Sequence, residues 1–354
     1  MISSIEFKRI GIAMKKPFVI ATGSTPSYEG FIVKVRTDDD YEGIGEAVPT
    51  PHIMGDTMGS IEDELRIFAK SIVGLEASPE LLNEKMVTLA RNSKASRAAA
   101  DMAIWDIIGK KAKMPIHTIL GNYRKDFETS YTVDLVEPEV AVKEADDLLK
   151  DGVRIFKIKL GSGLEKDFER IKRVRETVGD DKEIYVDFNQ SYTAKKAVTL
   201  SDMIAKYNVE FLEQPVPADD MTGMRFVREH SSIPVMADEA VMSPQDAAMI
   251  IYNDAADMIN LKLMKSGGIT DGLAIIKNCQ SFRIPVMIGC MVETRLANTA
   301  GLHLALSQPA VTHTDLDGFS SLKEDIVTGG IVFRDGKNHL EDGPGLGIAL
   351  KKGL

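Results

Sequence analysis

Long hydrophobic runs, cysteines, basic clusters and low-complexity stretches are what this chain of 354 residues lacks. No stretch reaches the roughly 18 uninterrupted apolar residues of a membrane span, although 44% of positions are hydrophobic, so a soluble globular protein is expected. Cysteine occurs only as Cys279 and Cys290, too few for a disulfide framework, and a reduced cytoplasm is the expected setting. Met1 to Lys16 has no apolar core followed by a small-residue cleavage site, so nothing there reads as an export signal. Forty-three Lys and Arg against 53 Asp and Glu leave a net charge of -10, with no basic run and no aromatic–basic interleaving. That balance argues against nucleic acid and gives no reason to expect a membrane partner.

What is present is a periodic set of charges. Lys159, Asp187, Glu213, Asp238 and Lys262 follow one another at intervals of 28, 26, 25 and 24 positions, and each ends a short apolar run. The runs Ile155 to Lys159, Ile184 to Asp187, Val209 to Glu213, Val235 to Asp238 and Met258 to Lys262 are rich in β-branched and aromatic residues and read as buried strands. Between them lie helical stretches, Glu165 to Thr177, Lys195 to Lys206, Met221 to His230 and Pro244 to Tyr252. A strand, a helix and a loop repeating every 25 or so residues is the period of a parallel β/α barrel, whose strands open their C-terminal ends onto one mouth. Charges placed there converge in space although they are far apart in sequence.

A barrel of about 250 residues leaves part of the chain over, so a second, smaller domain is expected. Ile5 to Ile12 and Gly30 to Arg36 read as strands joined through a loop, Thr22 to Glu29, and Asp38-Asp39-Asp40 marks a hairpin turn before Tyr41 to Glu46. Helical periodicity follows at Ser60 to Val73, Pro79 to Arg91 and Ser96 to Lys111, and Pro115 to Gly121 breaks the last of these. Thr129 to Asp134, Pro285 to Gly289 and Val311 to Asp315 fit the first, seventh and eighth barrel strands. The expected fold class is α/β, a modified TIM (β/α) barrel over 123–328, with an N-terminal α+β capping domain over 1–122. A tail over 329–354, with hairpin texture, is expected to complete that domain or pack on the barrel edge.

Asp187, Glu213 and Asp238 would place three hard oxygen ligands around one point, with no His or Cys nearby to favour zinc, which is the donor set of magnesium. Each acid alone could be a strand-end carboxylate paired with a lysine; three in register on neighbouring strands argue for a shared site. Lys157 and Lys159 alternate with Phe156 and Ile158, so both ammonium groups face the barrel interior. A divalent metal among the acids would lower the lysine pKa values by like-charge repulsion, and a lysine so tuned can act as a general base. Lys262 comes from the far side of the mouth, although a snorkelling strand-end lysine is the plain alternative. One lysine on each face of a bound substrate suits removal of a proton from one side of a carbon and its return to the other.

The motifs Lys157-Ile158-Lys159, Asp187-Phe188-Asn189, Glu213-Gln214-Pro215, Ala237-Asp238-Glu239 and Asn260-Leu261-Lys262, followed by Lys265-Ser266-Gly267-Gly268, resemble those of the enolase superfamily, in its muconate-lactonising subgroup, over essentially the whole chain. The resemblance implies that Asp187, Glu213 and Asp238 bind one Mg2+, with Mn2+ able to substitute, and that Asn189 and Glu239 stand behind them. It implies Lys159 and Lys262 as the two acid/base groups and Lys157 as the group that steadies an enolate. The histidine that the mandelate racemase subgroup uses on strand seven is missing from Met287 to Thr294.

Ile288-Gly289-Cys290-Met291-Val292-Glu293 and Asp315-Leu316-Asp317 are similar to what dipeptide epimerases carry at strands seven and eight. The resemblance implies that Asp315 and Asp317 bind a dipeptide's α-ammonium, with Met291 beside the substrate; alone, the two acids could equally cap a loop. Phe188 and Thr294-Arg295 depart from the usual small residues, and Arg295 is expected as an ordinary surface charge rather than a group in the mouth. Phe18 to Ser24 and Thr50 to Asp56 are expected to lie over the barrel, offering Phe18, Ile20, Ile53 and Met54 and no arginine, which favours an apolar second residue in the dipeptide. The expected activity is a dipeptide epimerase. A muconate-type cycloisomerase, an N-acylamino acid racemase or an o-succinylbenzoate synthase is the alternative on the same scaffold, a Schiff-base lysine enzyme the alternative chemistry, and a metal-bearing binding protein the non-catalytic one. An acidic surface is compatible with a monomer or a homo-oligomer.

Overall fold

The computed structural model describes every residue except Thr22, Arg91, Asn92 and Leu354. The N-terminal part is a three-stranded antiparallel sheet, β1 (Ile2–Ile20), β2 (Gly23–Thr37) and β3 (Glu42–Ala47), followed by helices α1 (Pro51–Met54), α2 (Met58–Ser71), α3 (Pro79–Leu89), α4 (Lys94–Ala112) and α5 (Ile116–Leu120). A short strand, β4 (Asp126–Glu128), leads into the barrel. There β5 (Ser130–Val133), α6 (Pro138–Lys150), β6 (Ile155–Lys159), α7 (Leu164–Val178), β7 (Glu183–Asp187), α8 (Ala194–Ile204), β8 (Val209–Glu213), α9 (Met221–His230), β9 (Val235–Ala237) and α10 (Pro244–Tyr252) alternate. The series continues with β10 (Met258–Lys262), a single turn α11 (Leu263–Ser266), α12 (Ile269–Ser281), β11 (Val286–Gly289), α13 (Arg295–Ser307) and β12 (Val311–Asp315). The tail adds β13 (Val327–Gly329), β14 (Ile331–Arg334), β15 (Lys337–Leu340) and β16 (Ile348–Leu350).

Strands β5 to β12 stand side by side in sequence order as one eight-stranded parallel sheet. Its first and last members are joined through side chains. Thr129 Oγ1 accepts from Leu316 N (3.1 Å), and Asp317 Oδ2 accepts from Thr132 N (2.9 Å). The seam that closes the barrel therefore carries Asp317 into the mouth. The floor of the barrel is a separate apolar cluster of Ile155, Tyr185, Phe211, Met236, Met258 and Met287, inward-facing residues below the charged layer.

The N-terminal sheet grips the barrel through α4. Gly43 and Gly45 on β3 let that helix come close, since a Cβ at either would lie 1.9 Å from a carbonyl oxygen, of Ala103 and Ala99 respectively. Where a loop was expected over 22–29, the antiparallel ladder runs on to Ile20↔Gly23; Thr22, like Arg91 at the expected end of α3, lies outside the described residues. A register shift between Ala13 and Phe18 breaks the strand alternation that the sequence shows, and beyond it β1 is only partly buried, too little to impose a hydrophobic pattern. The tail packs on both parts of the molecule. β15 pairs with β14 and β4, while Gly345 O accepts from Ile116 N (3.0 Å) and Asp106 Oδ1 from Leu346 N (2.9 Å). Among the described residues no helix is long and apolar enough to cross a membrane.

Candidate active site

Alternation on β6 sends Lys157 and Lys159 inward and Phe156 and Ile158 into the helix layer, and all four are buried. Lys157 Nζ sits at the centre, 3.0 Å from Asp187 Oδ2, 3.0 Å from both Glu213 oxygens and 2.8 Å from Asp315 Oδ2. Lys159 Nζ donates to Asp187 Oδ2 (2.7 Å) and to Asn189 Oδ1 (3.0 Å), and lies 5.7 Å from the ring centre of Phe18, which comes down from the ribbon. Four strands further round, Lys262 Nζ donates to Asp238 Oδ2 at 2.8 Å. The two outer lysines are thus held by different carboxylates on opposite sides of the acid group.

Asp187, Glu213 and Asp238 each offer a carboxylate oxygen within 4.8 Å of the others, and all three side chains are buried. Among the described residues Glu213 Oε2 and Asp238 Oδ1 accept no hydrogen bond although they are sealed from solvent, and an ammonium stands close to each, Lys157 at 3.0 Å and Lys265 at 2.7 Å. Burial and the adjoining Asp187 carboxylate push Glu213 up to about 8, while Asp187, despite burial, is drawn down to about 2 by Lys159 and Lys157. Mutual repulsion of this kind, among hard oxygens with unused lone pairs, is what a small divalent cation relieves, and the donor set suits Mg2+. Burial lowers the proton affinity of Lys157 and Lys262, but Asp315, Glu213 and Asp187 for the first, and Asp238 for the second, more than offset it and hold both well above the usual lysine range.

Behind the triad stands a set of amides. Asn260 Nδ2 donates to Glu213 Oε1 (2.8 Å), Asn189 Nδ2 donates to Glu239 Oε1 (3.1 Å), and Gln214 Oε1 accepts from Asp238 N (2.9 Å) and Ala240 N (3.1 Å). Asn189 and Gln214 hold φ angles of 41° and 37°, left-handed conformations that turn the chain sharply after Asp187 and Glu213. Gln214 and Asn260 lie within the sequence motifs, yet nothing in their spacing says which carboxylate each supports.

Above the charges opens a cavity of about 430 Å³ lined by Lys157, Lys159, Lys262, Asp315, Asp317, Met291, Phe18, Ile20 and Ile53, so the structure brings these expected residues together. Met54 does not line it; it packs against the core on the far side of its short helix. Phe188 points away into the core, edge-on to Tyr192 at 5.1 Å. Arg295 is neither a free surface charge nor part of the mouth: its guanidinium bonds Asp325 and Ile331 O and covers the ring of Phe319 at 4.8 Å. Its neighbour Thr294 donates through its backbone N–H (2.8 Å) and its hydroxyl to Glu46, which also accepts from Tyr28 OH (2.8 Å). Glu46, Tyr28 and Tyr131 escape a motif-based reading, and a β3 carboxylate meeting a helix start some 250 residues later leaves no local pattern; Tyr28 and Tyr131 line the cavity together with Cys290 of the strand-seven motif.

Comparison with known proteins bears on the whole of this arrangement. The family model for the mandelate racemase / muconate lactonizing enzyme N-terminal domain matches residues 4–121, and the enolase C-terminal domain-like model matches residues 140–354. A hydrophobic dipeptide epimerase of Enterococcus faecalis is 36% identical over 351 residues, covering 99% of each chain. An L-Ala-D/L-Glu epimerase of Bacillus subtilis is 36% identical over 361 residues, covering 99% of this chain and 98% of its own. A crystal structure of a dipeptide epimerase from Cytophaga hutchinsonii, complexed with Mg and D-Ala-L-Val, superposes with a TM-score of 0.97 at 31% identity, covering 100% of this chain and 97% of that one. The chain belongs to the enolase superfamily, in its mandelate racemase / muconate lactonizing enzyme family.

Proposed function

We propose that the protein is an isomerase, a Mg2+-dependent dipeptide epimerase that inverts the α-carbon of the C-terminal residue by a two-base 1,1-proton transfer. The observation that carries this reading is the placement of Lys159 and Lys262 four strands apart on opposite sides of the acid triad, with Asp315 and Asp317 on the remaining wall. Asp187, Glu213 and Asp238 would hold the cation; bound there, Mg2+, or Mn2+ in its place, supplies charge stabilisation for the substrate carboxylate and takes up the carboxylates that now hold the lysines' protons.

Each lysine faces one side of the α-carbon. One removes the proton as a neutral amine; the other, as ammonium, delivers a proton to the opposite face. Lys157, in the centre, donates toward the oxygen that gains negative charge as the enolate forms, a contact stronger in the transition state than in the ground state. The dipeptide's ammonium meets Asp315 and Asp317. Asp317 Oδ1 has only Cys290 Sγ at 4.0 Å, so it retains accepting capacity. Phe18, Ile20 and Ile53 line the cavity with Lys159, no arginine among the described residues lines it, and its three lysines are already engaged. A second carboxylate on the C-terminal residue would be desolvated there without a partner, so that residue is apolar.

The test is a chiral separation of L,L-dipeptides and of the matching N-acetylated amino acids after incubation with the Mg2+-loaded enzyme. Inversion of apolar dipeptides with N-acyl compounds inert is the expected result. Turnover confined to N-acyl compounds would replace this reading with an N-acylamino acid racemase, and specificity led by Ala-Glu would overturn the apolar assignment.

A further inference from the structure

Lys265 is a buried lysine that the proton transfer does not use, and its contacts are specific. The ladder between β9 and β10 consists of two pairs, Met258↔Met236 and Ile259↔Ala237, and stops one residue short of Asp238. On the other side of β10 the ladder with β11 runs on through four pairs as far as Lys262↔Gly289. Backbone pairing therefore runs out between a carboxylate of the triad and a lysine of the acid/base pair. The next pair in register would be Asn260 with Asp238. Lys265 Nζ donates to the carbonyl oxygens of those two residues, at 2.8 Å for Asn260, and lies 2.7 Å from Asp238 Oδ1.

We propose that Lys265 is a positioning residue whose ammonium clamps the ends of β9 and β10 past the point where their backbone ladder stops, and so fixes Asp238 relative to Lys262. The lysine is itself fixed from behind. It sits on α11, whose four residues are all buried and which ends in Gly267 and Gly268 with φ angles of 96° and 115°. A Cβ at Gly267 would lie 2.5 Å from Arg97 Nη2, and one at Gly268 would lie 2.4 Å from Asp101 Oδ2, so α4 of the N-terminal domain presses directly on this turn. Asp101 then accepts from Ile269 N (2.5 Å) and Thr270 N (3.1 Å) at the start of α12. A fully buried ammonium is costly unless its protons and charge are satisfied, and here it donates to two main-chain carbonyls with the Asp238 carboxylate beside it as counter-charge. A lysine serving only as counter-charge has no need of those carbonyls.

Lys265→Met keeps the volume and removes the donors. Hydrogen–deuterium exchange of the metal-free variant should rise about tenfold or more in peptides covering 235–241 and 258–266, with 155–160 and 184–190 unchanged. In the Mg2+-loaded variant kcat should fall roughly 10–100-fold with KM within about threefold, and α-proton exchange through Lys262 should fall further than exchange through Lys159. The amide-exchange arm needs no substrate, so it can fail independently of the dipeptide reading on which the kinetic arm rests. Wild-type exchange in both peptides, a uniform rise throughout the barrel, or equal loss of exchange through the two lysines would overturn the clamp. If Lys265→Met does not fold, Lys265→Gln is measured in the same way and judged by the same outcomes.

Discussion

At the scale of single residues, the proposed chemistry divides between two lysines that cannot replace each other, since each reaches only one face of the substrate. Lys159→Ala and Lys262→Ala should each reduce epimerisation by roughly 10²–10⁴-fold, while the survivor continues to exchange the α-proton of one epimer with its configuration retained. Mass spectrometry and chiral separation of the same sample read both quantities, and full epimerisation by either variant would contradict the two-base scheme. Asp317 gives a pH prediction. Burial, followed by the Asp315 carboxylate, raises its pKa to about 6, so it is charged above that value and loses its hold on an ammonium as pH falls through it. kcat/KM for a dipeptide should therefore decline on an acid limb near 6. Asp317→Asn should raise KM about tenfold and remove that limb; an unchanged pH profile in the variant would take the ammonium contact away from Asp317.

At the scale of elements, the sequence shows the barrel strands far better than the ribbon above them. Ile155 to Lys159 and Met258 to Lys262 are legible because burial on both faces demands continuous apolar residues, interrupted only where a polar group serves the site. The β1–β2 ribbon beyond Met14 is at most partly buried and faces the cavity rather than a packed core, so no such demand marks it, and its length and register shift could not be read. Helix α13 joins three parts of the molecule. His303 Nδ1 accepts from His117 N (3.2 Å), and its Nε2 donates to Leu346 O (3.2 Å), a pattern that only the neutral ring satisfies. Burial brings its pKa down from 6.5 to about 3. Between those pH values the unfolded chain binds a proton that the folded chain does not, so stability is lost as pH falls from about 6.5 toward 3, by at most about 1.4 kcal/mol per pH unit from this group. Thermal melts from pH 7 to pH 4 should show the slope, and His303→Gln should flatten it; equal slopes would assign acid sensitivity elsewhere.

At the scale of the whole molecule, carboxylates of the N-terminal domain cap barrel helices: Asp101 meets the start of α12 and Glu46 the start of α13. Helix starts concentrate unpaired N–H groups and positive potential, so these contacts bind the domain that covers the mouth to the helices that follow Lys262 and β11. None of this was legible in the sequence, because the partners are separated by 168 residues or more and share no motif. Glu46→Ala should cost about 3–5 kcal/mol in chemical denaturation, since it strands Tyr28 OH, Thr294 N and Ala297 N in a buried interface, and should raise KM because Tyr28 lines the cavity. Wild-type stability in that variant would show that Glu46 does not hold the two domains together.

The central claim, a metal-dependent proton transfer at the α-carbon of a dipeptide's C-terminal residue, is tested most directly by incubating pooled L,L-dipeptides with the enzyme and Mg2+ in deuterium oxide and weighing the C-terminal residue. A gain of one mass unit in apolar dipeptides, abolished by EDTA, is the predicted result. No gain in any dipeptide by folded, metal-loaded protein, or a gain that persists in EDTA, would contradict it.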